Sequence, residues 1–291
     1  MSQSACARFR AALQNHKPLQ IVGTINAYCA LMAERAGFQA FYLSGAGVAN
    51  ASFGLPDLGI TNLNDVAEDA RRITNATEVP LLVDIDTGFG GGFNIGRCIQ
   101  TMQRSGVAAV HLEDQEGQKR CGHRPGKSVV PVQEMEDRLK FALDAREGDG
   151  LFIMARTDAA AVEGLDAALE RTACYARTGV DGIFAEAVRN IEEYRLFVEA
   201  SGGLPILANI TEFGQTPLWT LKELAAAGVA MALYPLSAFR AMNRAAENLY
   251  RSLRQDGTQT AQLDRMQTRD ELYDILGYMD WEQQLDRIQK R

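Results

Sequence analysis

Eight short apolar runs recur along the chain, and each is followed by a longer segment in which apolar residues return with helical spacing. In residues 163–178, for example, Leu165, Ala168, Leu169 and Thr172 fall on one helical face. The eight candidate strands are residues 19–26, 40–45, 80–86, 108–114, 151–158, 182–187, 205–211 and 231–235. A strand–helix unit repeated eight times predicts an α/β fold whose parallel sheet closes on itself, a (β/α)8 TIM barrel.

Four of the predicted helices end in a similar way, with a glycine directly before the next apolar run: Gly37, Gly106, Gly179 and Gly228. Glycine at this point is typical of a left-handed helix cap. A doubly wound open sheet is the alternative, but no GxGxxG motif follows the first candidate strand. No low-complexity linker interrupts the series. We therefore expect residues 1–291 to form a single barrel domain, with 255–291 as a C-terminal helical extension.

Composition and charge exclude several classes of protein. The 291 residues are 46% apolar and 23% charged, which is typical of a globular protein. A net charge of −7 argues against nucleic acid as the main partner. No apolar run approaches the roughly 20 residues of a membrane span, and the N-terminus lacks the apolar core of a secretory signal. The five cysteines contain no CxxC pair, so we expect a cytoplasmic protein without a disulfide framework.

Polar residues follow the candidate strands at their carboxyl ends. Burying such groups is unfavourable unless they are paired or bind a ligand. In a barrel all eight carboxyl ends meet at one rim, where barrel enzymes carry out their chemistry. We therefore expect an active site formed from Ser44, Asp84, Asp86, Glu113, Asp114, Arg156, Asp158, Glu186, Asn209, Thr211 and Tyr234.

Asp84 and Asp86 are two positions apart on one candidate strand, so both carboxylates face the same side. Two like charges at that separation repel each other unless a cation lies between them. Asp57, in the loop after the second strand, and Glu113, one strand later, would complete an all-oxygen site. Such ligands favour Mg²⁺, with Mn²⁺ as an alternative, over zinc. Helix capping or salt bridges are the competing interpretation, which stays open for Asp57 and Glu113.

Other residues at the predicted rim are suited to binding an anion. The segment 44–47, Ser-Gly-Ala-Gly, offers backbone N–H donors with little side-chain obstruction. A glycine-rich segment of this kind is often only a tight structural turn that binds no anion. Arg156 and Arg240 are candidates for bidentate carboxylate contacts, with a surface ion pair as the alternative for Arg240. His111 shares a strand face with Glu113 and is interpreted as a hydrogen-bonded structural residue.

The segment 119–127 places four cations, Cys121 and His123 within nine residues of an acidic chain. Two glycines and a proline prevent a long helix here, so the segment is predicted to be a loop. A thiol among cations is expected to have a lowered pKa. A loop of this kind could hold a polyanion and transfer a proton beside it, whereas a solvated basic turn is the competing interpretation.

Several motifs resemble those of a known family. Lys119-Arg120-Cys121-Gly122-His123 resembles the signature loop of the isocitrate lyase and phosphoenolpyruvate mutase superfamily. Its other motifs are matched, in order, by residues 42–45, 84–90 and 111–115. Residues 207–214 and 232–243 are similar to the later strands of the 2-methylisocitrate lyases within it. The cysteine argues against the phosphonate mutases and hydrolases, and the chain is too short for the insertions of typical isocitrate lyases.

The resemblance implies a lyase that cleaves the C2–C3 bond of 2-methylisocitrate to pyruvate and succinate, the last step of the methylcitrate cycle of propionate catabolism. The cleavage would be a Mg²⁺-assisted retro-aldol step, with Cys121 as the general acid and with Arg120 and His123 holding carboxylates beside it. Tyr42, just before the Ser-Gly-Ala turn, is the candidate base. The alternatives are a relative acting on isocitrate, oxaloacetate or a phosphonate, and a noncatalytic anion-binding barrel.

The resemblance also implies substrate contacts and an assembly. The tricarboxylate substrate would be held by Ser44, Gly45, Ala46, Gly122, Arg156, Glu186, Asn209, Ile210, Thr211, Arg240 and Arg269. Ala46 departs from the usual Ser-Gly-Gly turn and adds a methyl group near the pyruvate end. Phe184, Leu233 and Pro235 resemble the pocket for the extra methyl group of the substrate. The apolar residues of 268–289 would swap between subunits of a homotetramer, the alternative being packing on their own barrel.

Overall fold

Eight parallel strands close into one barrel in the computed structural model, which describes residues 3–122, 126–148 and 150–290. The strands follow one another in chain order, and β8 pairs with β1 to complete the barrel. Their bounds are β1 Leu19–Gly23, β2 Phe41–Leu43, β3 Leu81–Asp84, β4 Ala109–Glu113, β5 Phe152–Thr157, β6 Gly182–Ala185, β7 Ile206–Asn209 and β8 Met231–Tyr234. The predicted TIM barrel is confirmed.

The observed strands are shorter than the predicted runs, mostly at the carboxyl end. β3 ends at Asp84, and the chain turns at Asp86, whose φ of 48° is left-handed. β6 ends at Ala185, and Ala187 turns in the same way with a φ of 58°. Hydropathy does not reveal these ends, because apolar residues such as the buried Ile85 continue past the hydrogen-bonded ladder.

Most of the helices surround the barrel, whereas the first closes its N-terminal end and the last three extend beyond the eighth strand. Their bounds are α1 Ala5–Asn15, α2 Ala27–Arg35, α3 Gly45–Gly47, α4 Leu63–Thr74, α5 Gly92–Arg104, α6 Val132–Ala145, α7 Leu165–Arg177, α8 Ile191–Ala200, α9 Leu221–Ala226, α10 Ser237–Asp256, α11 Arg269–Leu276 and α12 Tyr278–Gln289, with a π-helical turn at Val48–Ser52 and 3-10 turns at Ala159–Ala161 and Thr260–Arg265. Cys6 and Phe9 of α1 are buried, and the Phe9 ring lies 5.2 Å from that of Phe152. Because Phe152 begins β5, α1 plugs the end opposite the rim.

Alternate residues of each strand face the barrel interior, and they change from apolar to polar toward the carboxyl end. In β5, Phe152 and Met154 belong to the interior apolar cluster, and Arg156 follows on the same face. In β3, Leu82 of the same cluster is followed by Asp84. In these two strands the interior face is therefore apolar toward the N-terminal end and charged at the carboxyl end, which brings polar ends of different strands to one rim.

Glycine caps end four of the helices that lead into strands, as predicted. Gly37, Gly106, Gly179 and Gly228 have φ values of 92°, 76°, 96° and 82°. At Gly37 and Gly179 no atom would lie within 4 Å of an added Cβ. Glycine is needed at these two positions because of the left-handed backbone rather than for lack of space.

The helices α10, α11 and α12 extend beyond the eighth strand and contain no buried residue. α11 lies beside α2, where Tyr28 Oη donates to Oε1 of Gln267 at 2.8 Å and Arg35 pairs with Asp274. Large apolar side chains remain exposed on this extension: Tyr250, Leu263, Met279, Trp281, Leu285 and Ile288. Their exchange between subunits stays a prediction. Across the described ranges, no helix combines the length and apolar character of a membrane span.

Candidate active site

One cavity at the rim brings together most of the residues predicted from the sequence. The predicted residues in its wall are Tyr42, Ser44, Ala46, Asp57, Asp84, Arg120, Cys121, Gly122, Arg156, Glu186, Asn209, Thr211 and Arg240. Phe184 and Pro235, which the resemblance assigned to the methyl pocket, also line the cavity, and Lys119 and Leu236 complete the wall. Residues far apart in the chain meet here because a closed barrel gathers the carboxyl ends of its strands.

Three further predicted residues touch the wall from behind. Asp86 donates its backbone N–H to Oδ1 of Asp84 at 3.0 Å. Gly45 donates its N–H to Oδ2 of the same carboxylate at 3.1 Å. Glu113 lies 3.3 Å from the guanidinium of Arg156. These residues therefore shape the site through the groups that line it.

Three other predicted rim residues lie outside the cavity wall. Asp114 and Asp158 are fully buried, and Asp158 pairs with Arg156. Tyr234 packs against the apolar core.

The remaining predicted residues take other places. Ile210 is buried and donates its N–H to the carbonyl oxygen of Leu233, so its side chain belongs to the core. Arg269 is exposed at the start of α11, and α11 packs beside α2 rather than at the cavity. A substrate contact by Arg269 is therefore not made within a single chain. His123 lies outside the described residues.

The paired aspartates differ in their electrostatics although they are neighbours. Burial opposes the ionisation of Asp84, but the charges of His111 (when protonated), Lys119 and Arg156 outweigh burial and lower the pKa of Asp84 to about 2. Burial and the negative charge of Asp84 raise the pKa of Asp86 to about 7. Two buried carboxylates that resist simultaneous ionisation favour the approach of a cation.

Lys119 supplies positive charge to these carboxylates. Its Nζ lies 2.5 Å from Oδ1 of Asp57 and 2.6 Å from Oδ1 of Asp86, and its side chain is 5% exposed. Burial acts to lower the pKa of Lys119, but Asp86 and the neighbouring carboxylates raise it overall, so the ammonium stays charged. From the sequence, Lys119 could be placed only in the signature loop, because residue spacing does not show which carboxylates the side chain of a loop lysine contacts.

Arg156 is buried among three carboxylates. Its guanidinium nitrogens lie 3.3 Å from Glu113, 2.9 Å from Asp158 and 3.2 Å from Glu186. The guanidinium also lies over the Phe184 ring, 5.0 Å from its centroid. A buried charge requires such partners. A substrate carboxylate would share a guanidinium that is already engaged, so Arg156 also orients the acidic residues around it.

The first part of the signature loop lies across the cavity. Gln115 holds it on one side, because its Oε1 accepts from the N–H of Arg120 and its Nε2 donates to the carbonyl of Arg120, both at 2.9 Å. On the other side an added Cβ at Gly122 would lie 2.6 Å from Nη2 of Arg156. Cys121, between these two points, is partly buried and lines the cavity.

Tyr42 and His111 form a buried pair next to Asp84. Tyr42 Oη lies 3.0 Å from Nε2 of His111 and donates to Oδ2 of Asp84 at 3.4 Å. Burial lowers the pKa of His111 to about 4, so the ring is neutral at neutral pH and fits the structural interpretation. Burial and the charge of Asp84 raise the pKa of Tyr42 well above its usual value. The general-base role of Tyr42 stays a prediction, and this environment disfavours the phenolate that the role requires.

Arg240 lies at the outer edge of the cavity on α10. It is 46% exposed, with Nε 3.7 Å from Oε2 of Glu212 and its guanidinium 5.7 Å from the ring centroid of Phe213. Arg240 therefore lines the cavity and also belongs to a surface pair, and its contact with a substrate carboxylate stays a prediction. Leu236, also in the wall, was not predicted, because an apolar residue after a strand carries no signal that separates it from the core.

The acidic residues at the rim have the arrangement that a hydrated divalent cation requires. In the part of the chain that the structure describes, no three His, Cys, Asp or Glu side chains converge closely enough to enclose an ion by themselves. Mg²⁺ does not need such a cage, since it keeps several waters and takes one or two carboxylates. Oε1 of Glu113 is buried without a hydrogen-bond partner among the described atoms. An added Cβ at Gly45 would lie 3.0 Å from Asp86 and 3.1 Å from Asp84, so the turn leaves this space to the two carboxylates. The donor set fits Mg²⁺.

Comparison with known proteins identifies the family. The model of the phosphoenolpyruvate phosphomutase family matches residues 9–254. A 2-methylisocitrate lyase of Vibrio cholerae is 60% identical over 293 residues, which cover 99% of this chain and 95% of that protein. This chain belongs to the 2-methylisocitrate lyase family. The predicted superfamily is confirmed, and the chain is a carbon–carbon lyase.

Solved structures show how far the fold is shared. A 2,3-dimethylmalate lyase, a member of the phosphoenolpyruvate mutase and isocitrate lyase superfamily, is 32% identical with a TM-score of 0.91, covering 99% of this chain and 96% of that one. A phosphonopyruvate hydrolase in complex with oxalate and Mg²⁺ is 25% identical with a TM-score of 0.84, covering 99% of each chain. Lyases and hydrolases share this barrel, so the reaction is decided by the side chains at the rim.

Proposed function

We propose that this lyase cleaves the C2–C3 bond of 2-methylisocitrate to give pyruvate and succinate. The observation that carries the proposal is the position of Cys121, which lines the same cavity as the ionised Asp84 and the guanidinium of Arg156. The reaction needs a proton donor, a carboxylate of the protein that binds the metal ion, and a cationic side chain that binds a carboxylate of the substrate. The name of the 60% identical relative supports the same substrate.

The cleavage moves one proton from the substrate and returns another. The C2 hydroxyl gives its proton to the phenolate of Tyr42, the proposed base in the cavity wall. The electron pair of that O–H bond forms the carbonyl of pyruvate, and the pair of the C2–C3 bond moves to C3 of the succinyl fragment. Cys121, as a thiol in the cavity wall, donates its Sγ proton to C3. A positioned acid of this kind contributes about 10²–10⁴ in rate.

The other polar residues of the cavity bind the three carboxylates of the substrate. Ser44 and Ala46 offer the small turn at the end of β2, and Thr211 follows β7 on the opposite side. Arg120 and Arg240 add positive charge at the mouth. These groups surround a trianion with donors from several strands, which orients the bond to be broken. His123 would join them, as the resemblance of the signature loop implies.

Mg²⁺, with Mn²⁺ as an alternative, would be held by Asp84 together with Asp86, Asp57 and Glu113, directly or through water. The chemistry that a bound divalent cation supplies is neutralisation of the charge that develops on the C2 oxygen. The low pKa of Asp84 supports its role as a ligand, because the carboxylate is ionised at neutral pH. The Mg²⁺ of the phosphonopyruvate hydrolase complex supports the same choice of metal.

The methyl group on C2 of the substrate would lie against apolar residues. Phe184 and Pro235 line the cavity, while Leu233 is fully buried in the interior cluster and supports the wall from behind. Filling an apolar pocket with one methyl group contributes about 1–3 kcal/mol. The enzyme should therefore prefer 2-methylisocitrate to isocitrate by roughly 10–200-fold in kcat/KM.

The biological setting belongs to the same proposal. The reaction would be the last step of the methylcitrate cycle of propionate catabolism, in the cytoplasm, and the enzyme would be a homotetramer. The exposed apolar residues of α10–α12 support an assembly, because a surface of this kind usually contacts another chain. The net charge of −7 supports small anions held by local cations, rather than nucleic acid, as the binding partners.

An assay that follows pyruvate and succinate together tests the proposed function. With Mg²⁺ present, the wild type should release equal amounts of both products from 2-methylisocitrate and much less succinate from isocitrate. Cys121→Ser should lower kcat about 10²–10⁴-fold. Cys174→Ser is the matched control, because Cys174 is a partly exposed cysteine of α7, away from the cavity.

Two results would contradict this proposal. If the wild type releases no pyruvate from 2-methylisocitrate, the proposed substrate is wrong. Release of pyruvate from oxaloacetate instead would favour an enzyme of the same superfamily that acts on oxaloacetate. If Cys121→Ser retains full activity, Cys121 is not the acid.

A further inference from the structure

Lys127 is a buried cation that the proposed reaction does not use. Its side chain is 2% exposed, its Nζ lies 2.6 Å from Oδ1 of Asp158, and it donates to the carbonyl oxygen of Gly122. Lysine is almost never fully buried without specific partners, because removing an ammonium from water is costly. These two acceptors offset that cost, and one of them belongs to the signature loop beside Cys121.

Asp158 is itself held in place by its neighbours. It is fully buried, its N–H donates to Oδ1 of Asp114 at 2.9 Å, and its Oδ2 accepts from Nε of Arg156 at 2.9 Å. Asp114 in turn accepts from Tyr175 Oη of α7 at 3.0 Å. The Asp158 carboxylate is therefore a fixed point that binds the ammonium of Lys127 and the guanidinium of Arg156 at the same time.

Gly122 completes this ring of contacts from the other side. An added Cβ would lie 2.6 Å from Nη2 of Arg156 and 2.7 Å from Cδ of Glu186, so its backbone rests directly on these side chains. Gly122 is thus held twice, through its carbonyl oxygen by Lys127 and through its Cα by Arg156. While both contacts are present, the backbone at Gly122, directly after Cys121, cannot turn freely.

We propose that Lys127 and Asp158 are positioning residues that hold the backbone at Gly122 over the cavity, so that the thiol of the preceding Cys121 faces the reacting carbon. The role of the thiol as acid rests on the proposed function, whereas the contacts that position it do not. Loss of the hydrogen bond to the Gly122 carbonyl would let the backbone after Cys121 turn. A misplacement of about 1 Å at a reacting group costs on the order of 10² in rate.

Three variants test this role. Lys127→Met keeps the length of the side chain but removes its donors, and Asp158→Asn keeps the shape of the carboxylate but removes its charge. Lys140→Met is the matched control, because Lys140 is an exposed lysine of α6 that lies 3.0 Å from Asp137. We expect Lys127→Met to lower kcat about 10–100-fold with KM changed by less than about threefold, and Lys140→Met to change neither.

Two measurements separate positioning from a purely structural role. If Lys127 acts through the thiol, Lys127→Met should lower kcat no further in a Cys121→Ser background. The rate at which iodoacetamide alkylates Cys121, followed by peptide mass with Cys174 as the internal reference, should rise about tenfold in Lys127→Met as the backbone at Gly122 is released. It should not change in Lys140→Met.

Either an unchanged rate of alkylation or an equal loss of kcat in both backgrounds overturns the proposal. If Lys127→Met does not fold, Asp158→Asn carries the same two measurements, with the same expected results. If the wild type does not cleave 2-methylisocitrate, the proposed function fails, and the alkylation rates alone decide whether Lys127 positions Cys121.

Discussion

The ammonium group of Lys119 lies 2.6 Å from Oδ1 of Asp86, and the same nitrogen lies 2.5 Å from Oδ1 of Asp57. Both carboxylates belong to the proposed Mg²⁺ site. Like charges buried together need compensation, and here a side chain of the protein provides it. Lys119 therefore balances the charge of the acidic residues at the place where a divalent cation would bind, and we expect the two cations to compete.

Lys119→Met tests this competition in the absence of substrate. Without the ammonium, the carboxylates should bind Mn²⁺ more tightly, by about tenfold or about 1.4 kcal/mol. Titration of Mn²⁺ followed by electron paramagnetic resonance measures the affinity directly, and Lys140→Met serves as the control for loss of a lysine. Equal or weaker binding by the variant would show that Lys119 and the metal do not share these carboxylates.

Gly122→Ala tests the close packing of the signature loop on the rim. The added Cβ would lie 2.6 Å from Arg156 and 2.7 Å from Glu186, so the segment must move away. We expect kcat to fall on the order of 10²-fold. Gly117→Ala is the matched control, because no atom would lie within 4 Å of its Cβ and its backbone is not left-handed. Similar steady-state kinetics for the two variants would argue against close packing of Gly122 on Arg156 and Glu186.

Phe9→Ala tests whether α1 seals the barrel without taking part in chemistry. Phe9 is fully buried against Phe152 at the end opposite the site, so the variant should lose about 3–5 kcal/mol of unfolding free energy while kcat stays unchanged. Urea unfolding followed by circular dichroism measures this loss. Phe93→Ala is the control, since Phe93 is 89% exposed. If Phe9→Ala unfolds at a urea concentration as high as that of the control, α1 contributes little to the free energy of unfolding.

Trp281→Glu combined with Leu285→Glu tests the proposed assembly. These side chains are 69% and 53% exposed on α12, and charges there would be unfavourable in an apolar contact between subunits. Light scattering after size exclusion should give about four times 31.9 kDa for the wild type and a smaller mass for the variant. Gln283→Glu on the same helix should keep the wild-type mass. A monomeric wild type would exclude the tetramer.

The architecture was readable from the sequence because each strand and helix carries its own signal. The apolar runs from Leu19 to Tyr234 mark the strands, and glycines such as Gly37 and Gly179 mark the helix ends. These signals are local, since a strand must be apolar to be buried and a left-handed cap favours glycine. The paired Asp84 and Asp86 stood out for the same reason, because a charge after an apolar run is costly unless it has a partner.

Other parts of the site carry no such signal. Arg269 was assigned to the substrate by resemblance, but α11 places it outside the cavity of its own chain. Lys127 and Asp158 are 31 residues apart, and nothing in their spacing indicates that they meet. The burial of Tyr42 and the charge of Asp84 beside it, which raise the pKa of Tyr42, also depend on the tertiary structure, and its role as base stays a prediction.

The sequence by itself determined the barrel, the rim at which the chemistry lies and the kinds of residue found there. These properties follow from hydropathy, backbone preference and charge along the chain. The tertiary structure alone decided that Lys119 reaches Asp57 and Asp86, that Arg156 is shared among three carboxylates, and that Lys127 holds Gly122. Such pairings depend on distances across the closed barrel, and electrostatic energies at those distances change within a few ångströms.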